Sequence, residues 1–550
     1  MASRLRGLGY RFRHHKENHM AKVVIADGLH ADGAQMLADV PDMEVVKLSK
    51  PSPDEVIAAI ADADALIVRS ATKVTEEMLK STSSLKLVGR AGIGVDNIDL
   101  GAASRRGVLV INAPNGNSIT TAEHAISLMT SLARNIPQAT ASMRAGKWEK
   151  KKYMGFELYD HTLGVIGFGK IGQHVAKRAI GLGMKVIAHD PYATAETADA
   201  LGAELVSLDD LYARADVITL HLPVTESTRH MIDATAFSKM KPGIRIVNAA
   251  RGGIVDEAAL CAALDNGTVA GAAFDVFEKE PISPDHPLLG YEQVILTPHL
   301  GASTTQAQRK VAVEMATGVI DYLVDGNIKN PVNLPAARGE TPEAVKPYLE
   351  LAERLGRFQA QFFGGLTSIE IRYAGDGFRG MQGRGLVTSS AVKGLLSVAL
   401  PEPVSVVNAP LLAGEHGIQV SETEIVSEGN FKNYLQVTVS RENGEASTVC
   451  GAVFAGGEPR VIKVDDFSLE AALQGHMLVI ANVDRPGIIG KVGTILGNAQ
   501  LNVARLHVGV RSSSGETAIA LWTVDGDVPE HVLNTIRENG GVSSVSYVTF

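Results

Sequence analysis

Short apolar runs that end in turn residues recur through the first half of the chain, and stretches with a helical pattern separate them. KVVIADGL, DALIVRSAT and LKLVGRAGIGVDN form one such series, and a second series begins at TLGVIGFG. Strands that alternate with helices build parallel sheets that are covered by helices on both faces. The pattern therefore predicts two α/β lobes, each with a doubly wound parallel sheet.

Two long helices are expected at the junctions between the lobes. Thr120 and Glu123 have the spacing of a capping box after the loop NAPNGNSIT, which predicts a helix start there. Ser303 and Gln306 have the same spacing and predict a second helix that ends near Val324. The chain would leave the first lobe, build the second lobe and return.

The chain changes character after Pro331. An amphipathic helical stretch and alternating strand patterns follow, with Asn443-Gly444 as an expected hairpin turn. From His476 the order strand, helix, strand, strand, helix, strand predicts a ferredoxin-like βαββαβ unit. We expect a flexible N-terminal extension at residues 1–21, a first lobe at 22–118 plus 304–331 and a second lobe at 119–303. An α+β region at 332–472 and the ferredoxin-like tail at 473–550 follow.

Composition and charge narrow the class of protein. With 550 residues the chain is too long for a single hydrophobic core, which favours three or four domains. Apolar residues make up 45% and charged residues 21%, as in globular proteins. The formal net charge of -9 argues against nucleic acid as a partner. No apolar run reaches the ~18–20 residues that a membrane span needs.

Cys261 and Cys450 are the only cysteines of the sequence. They lie far apart and have no CxxC neighbour, so we expect no disulfide framework, no metal site and a cytoplasmic location. Residues 1–21 are rich in Arg and His, have no acid before Glu17 and lack the apolar core of a secretory signal. We expect a non-folding extension there, and a short organelle-targeting peptide is the alternative.

A glycine motif lies where a strand pattern meets a helix pattern. The segment GFGKIG, residues 167–172, matches GxGxxG between LGVI and QHVAKRAIGLG. Glycines let the backbone approach a pyrophosphate, and the helix N-terminus supplies free N–H groups. Asp190 ends the next strand pattern, where a carboxylate can bind both ribose hydroxyls of NAD. It would repel the 2′-phosphate of NADP by about 4 kcal/mol, so we expect NAD; a glycine-rich turn beside a surface Asp is the alternative.

Three ionisable residues follow three successive strand patterns. Arg251 follows IRIVNAA, Glu280 follows AAFDVF and His299 follows VILTP. In open parallel sheets, ligands bind at the carboxyl ends of the strands. Arg251 can bind a carboxylate, His299 can remove a hydroxyl proton, and Glu280 can hold the imidazole in one tautomer. Together they predict the oxidation of a 2-hydroxy acid, although each residue alone also fits a surface or turn position.

The segments NAARGGIVDE, AAFDVFEKEP and TPHLGAST resemble signature segments of the NAD-dependent D-2-hydroxyacid dehydrogenases. LIVRSATKVT, VGRAGIGVDNID, NAPNGNSITTAEH and IPQATASMRAGKWEKKKYMG narrow the resemblance to the branch that oxidises 3-phospho-D-glycerate. It covers residues 22–331 closely and extends to the C-terminus as the long form. The resemblance implies two Rossmann-like lobes, NAD as cofactor, 3-phosphohydroxypyruvate as product and the first step of phosphorylated L-serine biosynthesis. It also implies a homodimer or homotetramer, with Trp148 near the subunit contact.

The resemblance also assigns residues to the site. Catalytic roles fall on Arg251, Glu280 and His299. Substrate-binding roles fall on Arg69, Ser70, Gly92, Asn115, Arg251 and His299. Cofactor-binding roles fall on Gly167, Gly169, Lys170, Ile171, Gly172, Asp190, Leu222, Ala249, Ala250, Arg251, Asp275, His299, Gly301 and Ala302. The residue before Gly94 is often Thr in the family and is Ile93 here, so any hydroxyl contact at that position is lost.

The ferredoxin-like tail resembles an ACT domain, with DRPGIIGKVGTILG as its first turn and helix. The resemblance implies L-serine as an effector bound between the sheets of two subunits, and it maps candidate contacts onto Asn482, Asp484 and Asn502. Asn482 is a less usual residue at its position. An ACT-like unit that serves only assembly is the alternative. Residues 332–472 resemble the intervening domain of long-form enzymes, which would bind an anion or only space the tail.

Two other functions stay open from the sequence. A dehydrogenase of another 2-hydroxy acid, such as glycerate or 2-hydroxyglutarate, would carry the same three ionisable residues. An NAD-sensing binding protein of the corepressor type shares the lobes and these residues as well. The ACT-like tail and Arg69, whose guanidinium suits a phosphate, favour oxidation of the phosphorylated substrate.

Overall fold

The structure is a computed structural model that describes residues 20–334, 342–427, 431–511 and 517–550. Residues 1–19 of the predicted N-terminal extension lie outside the described residues. The first strand already begins at Ala21. The other domain boundaries expected from the sequence stay predictions.

The first lobe consists of β1 (Ala21–Ile25), α1 (Ala31–Ala38), β2 (Met43–Lys47), α2 (Pro53–Ile60), β3 (Ala65–Val68), α3 (Glu76–Lys80), β4 (Leu87–Arg90), α4 (Leu100–Arg105) and β5 (Leu109–Asn112). The five strands form a parallel sheet in the order β2-β1-β3-β4-β5. β3 reads ALIV and is buried along its whole length, as expected for a strand with both sheet faces covered. The lobe confirms the first predicted α/β unit.

The second lobe consists of α5 (Ser118–Arg134), α6 (Ile136–Arg144), β6 (Thr162–Ile166), α7 (Lys170–Gly181), β7 (Lys185–His189), α8 (Ala195–Asp199), β8 (Glu204–Leu205), α9 (Leu208–Arg214), β9 (Val217–Leu220), α10 (Ala234–Ser238), β10 (Ile244–Asn248), α11 (Glu257–Asp265), β11 (Val269–Phe274) and β12 (Val294–Leu296). The next helix, α12 (Thr305–Asp325), packs in the core of the first lobe. Its strands form a parallel sheet in the order β12-β11-β10-β9-β6-β7-β8. The strand order reverses at β6, and ligands bind at the carboxyl ends of the strands beside such a switch point.

The two junction helices are present, but their starts differ from the predicted caps. α5 begins at Ser118 after Asn117, two residues before Thr120, and no side chain caps it. α12 is capped by Thr304, whose hydroxyl accepts from the N–H of Ala307 at 3.2 Å, one residue after the predicted Ser303. α12 then packs on α1, so the chain returns to the first lobe as expected.

The C-terminal part consists of α13 (Lys346–Phe362), β13 (Ser368–Ala374), α14 (Arg384–Ala399), α15 (Ala409–Glu415), β14 (Gln419–Ile425), β15 (Tyr434–Ser440), β16 (Ala446–Val453), β17 (Pro459–Val464), β18 (Phe467–Ala472), β19 (His476–Val483), α16 (Ile488–Asn498), β20 (Val503–Arg511), β21 (Thr517–Val524), α17 (Glu530–Arg537) and β22 (Val542–Thr549). The predicted hairpin turn at Asn443-Gly444 joins β15 to β16. The βαββαβ order of the tail is confirmed.

The tail and the preceding region share one sheet, which the sequence did not predict. Ten strands run in the order β14-β13-β15-β16-β17-β18-β20-β21-β19-β22. β18 joins β20 through only two register pairs, at Phe467 and Ser468. α13 also connects the two parts, because Leu351 and Leu355 lie in one apolar cluster with Met477 and Val479 of the tail. In the described part of the chain, no helix is both long and apolar enough to cross a membrane.

Candidate active site

The glycine motif forms a tight turn between β6 and α7. Gly167 has a φ of +91°, and a Cβ there would lie 2.5 Å from the carbonyl oxygen of His221. A Cβ on Gly172 would overlap the carbonyl of Gly167. α7 begins directly after Gly169 without a side-chain cap, so its first N–H groups face the turn uncapped. This geometry suits a pyrophosphate at the helix N-terminus.

Asp190 is held beside this turn by two backbone groups. Its Oδ2 accepts from the N–H of Phe168 at 2.7 Å, and its Oδ1 accepts from the N–H of Tyr192 at 2.8 Å. The carboxylate therefore lies beside the glycine turn, and its remaining lone pairs can accept from two hydroxyl groups of a ribose. The arrangement fits NAD.

A cleft of about 1200 Å³ separates the two lobes and is lined by residues of both. Among the predicted site residues, the lining contains Arg69, Ser70, Gly92, Arg251, Glu280, His299 and Ala302. The structure thus brings the three predicted catalytic residues to the same cavity as three predicted substrate contacts. The glycine motif lies at the carboxyl end of β6, on the same sheet edge as the residues that follow β10, β11 and β12.

His299 and Glu280 form a close pair in this cleft. The Nδ1 atom of His299 lies 2.7 Å from Oε2 of Glu280, and Oε1 of Glu280 accepts from the N–H of Phe277 at 3.0 Å. Burial alone would raise the pKa of Glu280, but the hydrogen bond and the charge of His299 outweigh it and hold the pKa below its usual value. An ionised Glu280 accepts a hydrogen bond from the Nδ1–H group of His299, which leaves Nε2 of His299 free to take a proton.

The loop that carries His299 is fixed by a buried carboxylate. His299 has a positive φ of 56°, which few residues with a side chain adopt. Asp275, which is fully buried, accepts from the N–H groups of Leu300 at 2.7 Å and Gly301 at 2.8 Å and from the hydroxyl of Thr297 at 2.6 Å. Both of its oxygens are therefore used within the chain, and its role as a cofactor contact stays a prediction.

His124 is a further member of this network that sequence reasoning missed. Its Nε2 lies 3.2 Å from Oδ1 of Asp275 and 3.4 Å from the hydroxyl of Thr297. Burial would raise the pKa of Asp275, yet the hydrogen bonds from His124 and Thr297 keep it below its usual value. The sequence signal that could have pointed to His124 is its place in TAEH, on the helix that follows the loop NAPNGNSIT.

Three arginines face one another across the cleft. Arg69 follows β3, Arg90 ends β4 and Arg251 follows β10, and Lys73 adds a fourth cation to the lining. Burial and then the charges of Arg251 and Arg69 lower the pKa of Arg90 to about 10. The Nε atom of Arg90 is buried and has no hydrogen-bond partner in the described residues. Such a cluster is completed by an anion that brings several negative charges.

Three family models match the chain: the NAD binding domain of D-isomer specific 2-hydroxyacid dehydrogenases over 126–301, the D-3-phosphoglycerate dehydrogenase intervening domain over 344–465, and the ACT domain over 476–541. A D-3-phosphoglycerate dehydrogenase of Synechocystis sp. is 43% identical over 524 residues, which are 95% of this chain and 94% of that protein. The chain belongs to the D-3-phosphoglycerate dehydrogenase family. The predicted resemblance is confirmed, and the chain is an oxidoreductase with an NAD-binding domain.

Other comparisons agree with this membership. A D-3-phosphoglycerate dehydrogenase of Archaeoglobus fulgidus is 40% identical over 528 residues, 96% of this chain and 99% of that protein. Among solved structures, a glyoxylate reductase from Paecilomyes thermophila is 31% identical with a TM-score of 0.53, covering 57% of this chain and 98% of that chain. A D-mandelate dehydrogenase of Rhodotorula graminis is 30% identical with a TM-score of 0.53 over 57% of this chain and 98% of that chain.

Asn115, predicted to bind substrate, does not line the cleft. Its Nδ2 donates to Oε1 of Glu314 at 2.7 Å, and its Oδ1 accepts from Nζ of Lys170. The amide is thus used to join α12 to the first turn of α7, and Asn117 lines the cleft in its place. Lys170, predicted as a cofactor contact, takes part in the same link between the lobes.

The three candidate effector contacts lie apart within one chain. Asn482 is the penultimate residue of β19 and is buried, and Asp484 follows the end of the strand on the surface. Asn502 precedes β20, at the end of the sheet where His476 pairs with Val524. β21 lies between β19 and β20, and its register with both places Asn502 and Asn482 at opposite ends of the sheet. A site that contains all three needs a second copy of the tail.

Proposed function

We propose that this protein oxidises 3-phospho-D-glycerate to 3-phosphohydroxypyruvate with NAD, as the first step of phosphorylated L-serine biosynthesis. The names of its full-length relatives support this activity. The observation that carries the proposal is the meeting of the His299–Glu280 pair with three arginines in one interlobe cleft.

Arg251 and His299 have complementary roles in this proposal. The planar guanidinium of Arg251 binds the substrate carboxylate and polarises the carbonyl as it forms. The glycine turn and Asp190 would hold NAD, which would supply the acceptor for the hydride that leaves C2. The Nε2 atom of His299 takes the proton of the C2 hydroxyl, so one C–H and one O–H bond break and one C=O bond forms. Glu280 keeps the imidazole in the tautomer that accepts this proton.

Arg69, Arg90 and Lys73 form the proposed phosphate site. Two unit charges ~4 Å apart attract by about 4 kcal/mol at an effective dielectric near 20, so a dianionic phosphate gains most from several cations. Burial is the main cause that lowers the pKa of Arg90, and the anion would offset the second cause, which is the repulsion from Arg251 and Arg69. Gly92 leaves room for the side chain of Arg90, because a Cβ at residue 92 would overlap the Nη1 atom of Arg90. Hydroxypyruvate and 2-oxoglutarate lack the phosphate that these groups would bind.

Substrate preference tests the proposal directly. We expect NADH oxidation with 3-phosphohydroxypyruvate to have a kcat/KM at least tenfold above that with hydroxypyruvate or 2-oxoglutarate. Equal values for the three would contradict it, and a preference for 2-oxoglutarate would favour a 2-hydroxyglutarate dehydrogenase. NADH binding without turnover of any of them would indicate a binding protein instead.

L-serine is the effector that we propose for the ACT domain. Asn482 and Asp484 of one copy would meet Asn502 of a second copy when two tails pair edge to edge, in a homodimer or a homotetramer. The edge of β20 supports this, because in the described residues β18 pairs in register only with its last two residues, Val510 and Arg511. L-serine should inhibit turnover, and Asp484→Ala should abolish that inhibition without changing kcat. Inhibition that survives this substitution would place the effector elsewhere.

The two cysteines support a proposal for the cellular location of the protein. Cys261 and Cys450 are both free thiols. A reducing compartment keeps thiols in this form, so we propose a cytoplasmic enzyme.

A further inference from the structure

Arg251 reaches across the cleft to an acid of the other lobe. Its Nε donates to Oδ2 of Asp96 at 2.9 Å, and its Nη1 donates to the carbonyl of Ala250 at 2.7 Å. Arg251 follows β10 in the second lobe, whereas Asp96 lies in the loop after β4 in the first lobe. The direction of this guanidinium is therefore fixed from both lobes at once.

Gly94 provides the space that this contact needs. A Cβ at position 94 would overlap Nη2 of Arg251 and would lie 2.8 Å from Oδ2 of Asp96. The far end of the Arg251 side chain thus occupies the place of a side chain at residue 94. A methyl group there would have to displace the guanidinium and not the backbone, so the fold would survive.

We propose that Asp96 is a positioning residue for Arg251 and that Gly94 is the space into which the guanidinium is placed. The inference rests on the proposed role of Arg251 in binding the substrate carboxylate. A guanidinium has five N–H groups, and Asp96 and Ala250 use two of them. The three that remain are on Nη1 and Nη2, and their direction is set before substrate binds. A carboxylate can accept two parallel hydrogen bonds from such a fork.

Asp96 is suited to orienting Arg251 and not to holding the fold together. Its side chain is 64% exposed, and ion pairs at that exposure add little to stability. Removing the Asp96 side chain lets Arg251 turn towards other acceptors. The substrate carboxylate must then orient the guanidinium during the reaction. The effect then appears in turnover more than in unfolding.

The test compares Asp96→Ala, Asp96→Asn and Gly94→Ala with a matched control, Asp209→Asn. Asp209 pairs with Lys239 at 2.8 Å on the surface of the second lobe, and neither residue lines the cleft. We expect Asp96→Ala and Gly94→Ala each to lower kcat/KM for 3-phosphohydroxypyruvate about 10- to 100-fold, the range for losing a hydrogen bond to a charged group. The dissociation constant of NADH should change less than twofold, and Asp96→Asn should recover part of the loss because its amide oxygen still accepts from Nε.

A double substitution separates this inference from the proposed function. If Asp96 acts through Arg251, Asp96→Ala should lower activity less than twofold further in an Arg251→Ala background. A full additional loss there would overturn the inference, as would wild-type kcat/KM in Asp96→Ala or in Gly94→Ala alone. An Arg251→Ala enzyme with wild-type activity would instead refute the proposed role of Arg251.

Discussion

Replacing Arg90 with Met should make the protein more stable and a worse enzyme. Burial and the charges of Arg251 and Arg69 lower the pKa of Arg90 from 12.5 to about 10. At about 1.4 kcal/mol per unit of pKa, keeping this guanidinium charged in the folded protein costs about 3 kcal/mol. Met keeps most of the apolar stem and carries no charge.

The gain is reduced by one lost hydrogen bond. Nη1 of Arg90 donates to the carbonyl of Ala91 at 3.3 Å, and such a bond contributes about 1 kcal/mol. We therefore expect the free energy of unfolding of Arg90→Met to rise by about 2 kcal/mol, or the Tm to rise by about 4–8 °C. Its kcat/KM for 3-phosphohydroxypyruvate should fall about 10- to 100-fold, while that for hydroxypyruvate should change less than threefold.

Thermal unfolding and steady-state kinetics measure both effects on the same preparations. Arg245→Met is the matched control, because burial also lowers the pKa of Arg245, whose guanidinium lies 3.6 Å from the ring centre of Phe156 outside the cleft. This control should keep its kinetics, and it should gain less stability than Arg90→Met because it also loses the contact with Phe156 and a hydrogen bond to the carbonyl of Gly243. An Arg90→Met protein that unfolds at a lower temperature than the wild type and keeps its preference for the phosphorylated substrate would contradict this prediction.

Three further substitutions test the cofactor turn and the acid–base pair. Gly167→Ala should weaken NADH binding at least tenfold in a fluorescence titration and lower the free energy of unfolding by about 1–3 kcal/mol, because the positive φ is strained for Ala and the new Cβ would crowd His221; unchanged NADH affinity would contradict the turn as the pyrophosphate site. Asp190→Ser should raise kcat/KM with NADPH relative to NADH by about tenfold or more, since the repulsion of the 2′-phosphate is gone; an unchanged ratio would place the ribose elsewhere. Glu280→Gln should lower kcat about 10- to 100-fold. Because the pKa of Glu280 is below its usual 4.5 in the folded protein, its pair with His299 adds stability above that pH, and this stability is lost as pH falls through the folded pKa. The difference in Tm between wild type and Glu280→Gln should therefore shrink towards acid pH, and a constant difference would show that the pair does not depend on the carboxylate charge.

The parallel lobes and the reactive sheet edge were predictable because they depend on local pattern. Apolar runs followed by turns predict buried strands, and residues that follow neighbouring parallel strands meet at one edge. Arg251, Glu280 and His299 could be selected for this reason, and the structure brings them to one cleft. The helix starts were less predictable, since Asn117 precedes α5 without any side-chain cap.

Contacts between the lobes were not visible in the sequence. The partners Arg251 and Asp96 are 155 positions apart, and no spacing rule connects them. The resemblance predicts that Asn115 binds the substrate, whereas in the structure its side-chain amide donates a hydrogen bond to Glu314 of α12. The two-pair join between β18 and β20 was missed for a similar reason, because strand patterns predict strands but not their neighbours across a domain boundary.

The most direct test of the account is the single turnover of NADH and 3-phosphohydroxypyruvate by a His299→Ala enzyme. We expect the rate of NADH oxidation to fall at least a hundredfold, because the variant has no imidazole to exchange a proton with the substrate oxygen. The dissociation constant of NADH and the Tm should stay close to those of the wild type, since His299 is half exposed and its loop is held by Asp275. A His299→Ala enzyme that oxidises NADH at the wild-type rate would contradict the account.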